Sequence, residues 1–300
     1  MTYIKLILTA FFWGGTFIAG KSLAGKVDPY SAAFLRFSIA SFFLVLLTRR
    51  MEGRLPRLTL RQVIGIFFLG LTGILSYNLC FFTGLTLINA NRASLIIATN
   101  PIFLTLASAL FFKEKLSPGK VTGLVLSVTG ALVIITEGNI ASIFHSGIGT
   151  GELFIFGCVA SWVSYSIMGK KVMNQLSPVA SVCYSSLAGT LLLTIPALFH
   201  GTFSHLAGYG IAEWASLFYL GFFGTVLGFF WYYQGIQKIG PMKAGVFINF
   251  VPVSALILAF LILGEPITPS ISTGAVLVIT GVFLTNFSGA KKFRVYSGSK

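Results

Sequence analysis

Charge is what this chain has least of. Only 9% of its 300 residues are Asp, Glu, Lys or Arg, against about a quarter in soluble domains. Acid is scarcer still, with seven Asp and Glu against 21 Lys and Arg. The three histidines, His145, His200 and His205, fall in or beside links between apolar runs. They leave an intramembrane enzyme no cluster of His, Asp, Glu or Ser to work with. Cys80, Cys158 and Cys183 lie inside apolar runs without CxxC spacing, so neither a disulfide nor a metal site is implied. There is no Walker loop, GxGxxG after a strand, HExxH or GxSxG, so energy from ATP would need a partner subunit and no cofactor is expected. Links between the apolar runs are at most about 15 residues, too short for another domain.

What is abundant is apolar length. Hydrophobic residues make up 55% of the chain and the mean hydropathy is +0.89. Ten runs stand out, at about 4–23, 30–48, 62–83, 92–112, 118–136, 150–169, 178–199, 213–235, 243–263 and 269–288. Each is near the ~20 residues that cross ~30 Å of hydrocarbon. The expected class is an all-α polytopic membrane protein with ten transmembrane helices. The rival for the first run is a cleavable signal peptide, given Lys5 and a small-x-small site at Ser22–Ala24.

The net charge of +14 would suggest nucleic acid in a soluble protein, but the cations sit at the ends of apolar runs. With the N-terminus inside, the inner segments hold Lys5, Arg49, Arg50, Arg54, Arg57, Arg61, Lys113, Lys115, Lys120, Lys170, Lys171, Lys238, Lys243, Lys291, Lys292, Arg294 and Lys300. The outer links hold Lys21, Lys26 and Arg92. This bias places both termini in the cytoplasm. The expected partners are a small-molecule substrate and the bilayer, not nucleic acid, in a monomer or homodimer.

The chain also contains its plan twice. Gly70/Gly221, Gly73/Gly224, Gly84/Gly235, Ala93/Ala244, Pro101/Pro252, Glu114/Glu265, Gly123/Gly274 and Gly130/Gly281 are all 151 positions apart. Trp13, Gly20, Lys21 and Pro29 match Trp162, Gly169, Lys170 and Pro178 at an offset of 149. A mid-chain copy of the first run argues for a permanent helix there. The division is 1–137 for the first repeat, 138–149 for an outer linker, 150–288 for the second repeat and 289–300 for a basic tail. Five spans per repeat is an odd number, so the copies cross in opposite senses as two inverted five-helix repeats. That symmetry recurs in secondary transporters, where two halves enclose a midplane site.

Few residues could carry chemistry. Arg36, seven residues into span 2, is the one ionisable side chain deep in a span. Two readings are open: a functional cation facing a cavity, where it would suit a carboxylate, or an arginine snorkelling to the surface. Glu114 and Glu265 end spans 4 and 9; they are expected to be structural, capping spans 5 and 10 or pairing with Lys. Spans 4 and 9 are expected to kink at Pro101 and Pro252, with Asn100 and Asn249 beside freed carbonyls. Those amides either bind solute or join helices. SYNLCFF supplies Tyr77, Asn78 and Phe81, and GFFWYYQ supplies Trp231 and Tyr232. Trp13 with Thr16, and Trp162 with Tyr165 and Ser166, add matched residues in spans 1 and 6. Aromatics at helix ends usually form the interfacial belt; paired clusters at depth suit a cavity wall.

The pattern from Trp13 to Gly20-Lys21, from Ala93-Ser94 through Pro101 to Lys113-Glu114-Lys115, and its second copy from Ala244 through Pro252 to Gly264-Glu265 resembles the EamA-type members of the drug/metabolite transporter superfamily. The resemblance covers nearly the whole chain. It implies an inner-membrane exporter of amino acids and related metabolites working by alternating access. Its central cavity would be formed largely by helices 3, 4, 8 and 9, with contributions from 1 and 6. Small multidrug relatives carry a Glu in their first helix; this chain has Trp13-Gly14-Gly15 there, which argues against proton-coupled cation export. Neutral or aromatic amino acids suit the expected walls. A passive channel is the rival, distinguished by linear flux without trans-stimulation.

Overall fold

Polar residues set where the apolar helices begin. In the computed structural model, which describes residues 1–23, 25–88, 93, 96–136, 138–139, 149–263 and 269–287, Asp28 accepts from the backbone N–H of Tyr30 and Ser31 at 3.0 Å each. Pro29 then fills the first turn, where a missing N–H costs nothing. Ser117-Pro118 and Ser177-Pro178 repeat the device, and Thr59 with Gln62 forms a reciprocal capping box.

The helices are α1 (Thr2–Leu23), α2 (Pro29–Glu52), α3 (Leu60–Leu69), α4 (Tyr77–Leu87), α5 (Asn100–Phe112), α6 (Pro118–Ile135), α7 (Thr150–Val172) and α8 (Pro178–Phe199). After a short α9 (Thr202–His205) come α10 (Ile211–Tyr219), α11 (Gly228–Ile239), α12 (Pro241–Gly245), α13 (Phe250–Leu263) and α14 (Pro269–Phe287). A π-helical segment, Gly70–Ser76, joins α3 to α4, and another, Leu220–Leu227, joins α10 to α11. A 3₁₀ segment, Val246–Asn249, separates α12 from α13. The described residues are helical without strands. Among them, 7 helices are long and apolar enough to cross a membrane, and Asn100–Phe112 and Ser272–Phe287 are shorter apolar helices. Large apolar side chains such as Leu110, Leu191, Phe199 and Phe283 point outward, as suits a lipid-facing surface rather than a wet one.

Antiparallel pairs hold the bundle together. Glycine lets α6 and α14 approach backbone to backbone: a Cβ on Gly130 would come 2.6 Å from Gly274 O, and one on Gly123 would come 2.5 Å from Thr285 N. Between α2 and α8, Ser41 and Thr190 hydroxyls meet at 3.1 Å, Glu52 bonds Ser177, and Asp28 bonds His200 at 3.0 Å. The remaining helices form two groups. In the first, α1 packs on α10–α11 and on α13. In the second, α7 packs on α3–α4 and on α5. Arg49, Arg50, Lys113, Lys115, Lys170, Lys171, Lys238 and Lys243 cluster at one end of this arrangement, here the basic end.

Two expectations change. Ser117, not Glu114, caps α6, because its side chain accepts from Lys120 N. Pro101 lies in the first turn of α5, after a turn at Ala98–Thr99, so the chain restarts a helix there instead of kinking one. Glu265, Arg92, His145 and the tail 289–300 lie outside the described residues.

Candidate functional site

Trp162 sits where the two groups of helices meet. Its ring lies 5.4 Å from Trp13, 5.9 Å from Tyr77, 5.6 Å from Tyr165, 5.4 Å from Phe229 and 5.5 Å from Tyr232. Most of these contacts are tilted or edge-on, the arrangements favoured by the ring quadrupole. Thus Trp13, Tyr77, Trp162, Tyr165 and Tyr232 are brought together. Phe81 extends the group by stacking on Tyr77 at 6.1 Å and 13°. Trp231 does not join; it faces Phe12 at 5.7 Å and Lys5 at 6.0 Å. Adjacent helical residues point about 100° apart, so Trp231 and Tyr232 cannot share a face.

Below this layer, towards the basic end, polar contacts join the same two groups. Ser166 and Tyr232 hydroxyls lie 3.3 Å apart, Tyr233 Oη donates to Tyr165 O at 3.1 Å, and Lys170 Nζ donates to Gln237 O at 2.8 Å. Glu114 closes the end: its Oε1 lies 2.7 Å from where a Cβ on Gly240 would stand. Gly240 has φ +85°, a conformation glycine adopts freely. Burial pushes the Glu114 carboxyl above its ordinary value of 4.5, although Lys120, Lys170 and Lys243 pull it the other way. On the far side of Trp162, the described residues form no hydrogen bond, ion pair or ring contact between the two groups.

The π-helical segment Leu220–Leu227 organises the other wall. Thr225 Oγ1 donates to Leu220 O, five residues back, at 3.0 Å. The altered register presents Gly224 O to Trp13 Nε1 at 2.8 Å and Thr225 Oγ1 to Arg36 Nε at 2.9 Å. Thr16 bonds back to Trp13 O at 2.6 Å. In the matching segment, Gly73 approaches the Tyr165 ring, and Asn78 Nδ2 donates to Ile74 O at 2.6 Å. Asn100 Nδ2 donates to Ile97 O at 2.9 Å, and Asn249 Nδ2 to Ser127 Oγ at 3.0 Å. The Oδ1 atoms of both amides are buried without a partner among the described residues. Pro252 stands three residues beyond Asn249, in the first turn of α13.

Sequence reasoning missed Phe229, Tyr233, Thr225 and both π-helical segments. Their one trace was the repeated Gly-x-x-Gly spacing of Gly70/Gly73 and Gly221/Gly224. Among the described residues no group of three His, Cys, Asp or Glu could hold a metal ion.

A family model described as the EamA-like transporter family matches residues 1–136 and 149–287. The chain is 31% identical to the uncharacterized transporter YyaM of Bacillus subtilis, over 93% of this chain and 92% of that one. It is 29% identical to a Streptantibioticus cattleyicolor protein named "Probable terminal-alkyne amino-acid exporter", over 94% and 92%. A solved crystal structure shares the fold with a TM-score of 0.78 at 18% identity, covering 95% of this chain and 98% of the other.

Proposed function

We propose a transport cycle from this premise: the chain belongs to the EamA-like transporter family. It is a multi-pass membrane transporter, and our reading is that it exports neutral or aromatic amino acids by alternating access. The observation that carries this reading is the one-sided seam. From Trp13–Trp162 to Glu114–Gly240, aromatic and polar contacts knit the two helix groups together at the basic end. A seam closed on one side and, among the described residues, unbonded on the other is the geometry expected of a carrier at rest with one gate shut. In this reading ten helices form two inverted five-helix repeats, 1–137 and 150–288, in a cell inner membrane. The basic end and both termini face the cytoplasm, so the resting carrier is open outward.

The aromatic layer is then the floor of the substrate cavity and the first part of the inner gate. Trp13, Thr16, Trp162, Tyr165 and Tyr232 form that floor, and Arg36, Tyr77, Asn78 and Phe81 stand beside or above it. The helix restarts at Pro101 and Pro252, with Asn100 and Asn249, supply the bends. Trp231 drops out of the cavity set. The amino-acid substrate is supported by the aromatic floor and by the name of the Streptantibioticus relative.

Counterflow in proteoliposomes tests this. Vesicles loaded with unlabelled neutral and aromatic amino acids should take up labelled phenylalanine saturably, with trans-stimulation. Linear, unstimulated flux would identify a passive channel. No uptake by folded, oriented protein would remove amino acids as substrates.

A further inference from the structure

Among the described residues, Arg36 is a cation without an anion. Five acidic residues can be followed, and each stands at a helix end with other work. Asp28 caps α2 and bonds His200, Glu52 bonds Ser177, and Glu114 covers Gly240. Glu152 holds the N–H of Gly149, and Glu213 pairs with Lys26 at 3.0 Å. None forms an ion pair with Arg36. The guanidinium is nonetheless fixed in place. Nε donates to Thr225 Oγ1 at 2.9 Å, and the group lies 5.2 Å from the centroid of the Phe37 ring. The missing side chain of Gly224 leaves room beside Nη2: a Cβ there would stand 3.7 Å away.

That fixation uses one donor of the five a guanidinium carries. Nη1 and Nη2 have no acceptor among the described residues, yet they are not among the polar atoms sealed from solvent. The same holds for the Tyr77 hydroxyl on α4, a helix that packs against α2. Tyr77 in turn touches Trp162 edge-on. A rigid fork of unused donors, a free hydroxyl and an aromatic floor therefore adjoin one another within the membrane-spanning region. A planar oxyanion bound by both Nη groups would use the fork geometry fully.

We propose that Arg36 and Tyr77 form the anion anchor of the pathway, receiving the carboxylate of a substrate whose aromatic or branched body rests on Trp13 and Trp162. This deepens the transport reading and rests on it for the direction of movement. It narrows the substrate class to small carboxylates, zwitterionic or monoanionic, and excludes the corresponding amides and amines. Because Thr225 belongs to the π-helical segment between α10 and α11, the anchor spans both halves of the chain. A bound carboxylate would therefore tie α2, α4 and that segment together.

The test uses purified full-length protein in nanodiscs and follows tryptophan fluorescence during titration with 3-phenylpropionate and with its neutral amide. The two probes share shape and differ in charge. The wild type should bind the carboxylate about tenfold or more tightly than the amide, the difference expected from losing charge-assisted hydrogen bonds. Arg36→Gln should abolish the preference by weakening the carboxylate alone, and Arg36→Lys should keep part of it. Tyr77→Phe, which keeps the ring, should weaken the carboxylate severalfold and leave the amide unchanged; it also serves if Arg36→Gln does not fold. Equal affinity for the two probes, binding of neither, or a preference that survives Arg36→Gln would each overturn the anchor.

Phenylalanine counterflow separates the two readings. Flux that is indifferent to Arg36→Gln and competed by phenylalaninamide refutes the anchor and leaves transport standing. A charge preference in a protein that moves no amino acid supports the anchor and sinks the amino-acid reading.

Discussion

Gly281→Ala should loosen the seam between α6 and α14. The added Cβ would stand 2.5 Å from Gly123 O, 2.8 Å from Ser127 Cα and nearer still to Ser127 N. All three are backbone atoms, so no side chain can swing aside. Ordinary carbon contacts are about 3.5 Å, so the helices must part locally by about 1 Å, enough to forfeit a quarter to a half of each facing dispersion well. Leu124, Val128, Ala131, Val278 and Val282 are buried along this seam and would all be affected. Overpacking of this kind costs about 1–3 kcal/mol, partly offset by the better helix propensity of alanine, about 0.5–1 kcal/mol. A net loss of about 1 kcal/mol corresponds to a fall in Tm of about 3 °C on the scale of larger domains. The strain also reaches function, since Ser127 Oγ holds the Asn249 amide at 3.0 Å. Gly20→Ala is the matched control, because nothing lies within 4 Å of a Cβ there. The assay is fluorescence-detected thermal unfolding in one detergent. Equal Tm values for the two variants would refute the close-contact account of this seam.

Trp13→Phe keeps an aromatic ring but strands Gly224 O, which should cost about 1 kcal/mol and reduce counterflow more than it reduces Tm; an unchanged rate would remove the indole from the gate. Glu114→Gln should flatten the pH dependence of stability. Because burial raises this carboxyl, the folded state binds the extra proton, so its contribution is present below 4.5 and is lost as pH rises through the folded-state value. Unfolding curves across that window should therefore converge at low pH and favour the variant at neutral pH. Lys26→Ala breaks an ion pair whose lysine is 60% exposed, and its Tm should match the wild type within error; a clear loss would show that the contact matters more than its exposure suggests.

The all-helical, multi-pass class was legible because apolar run length follows directly from hydrocarbon thickness, whereas among the described residues 7 helices reach spanning length and others are shorter or broken. Gly123, Gly130, Gly274 and Gly281 mark where backbones can approach closely, but that α6 meets α14 there came from the structure. Side-chain direction was harder to read. Trp231 and Tyr232 look alike in the sequence, and about 100° of phase sends them to different neighbours. Of the two roles open to Glu114, capping falls to Ser117, because Ser117 with Pro118 is the stronger start signal. Pro101 was placed inside a span, but a proline is cheapest in a first turn, and the chain breaks to put it there. Asn100 spends its nitrogen within its own turn on Ile97, Asn249 joins α6 through Ser127, and each leaves its oxygen unpartnered among the described residues.

The two π-helical segments also change how these helices must be compared with any relative. A π turn holds about one more residue than an α turn, so it advances the phase of everything beyond it by about 100°. A helical wheel drawn straight through Leu60–Leu87 or Ile211–Ile239 assigns Tyr77, Thr225 and Tyr232 to faces they do not occupy. Deleting one residue from Gly70–Ser76 would leave an unbroken helix of nearly the same length and hydropathy, yet rotate Tyr77 and Phe81 away from Trp162. In this family a single-residue gap at these two places would mark a different lining, even where every flanking residue is the same.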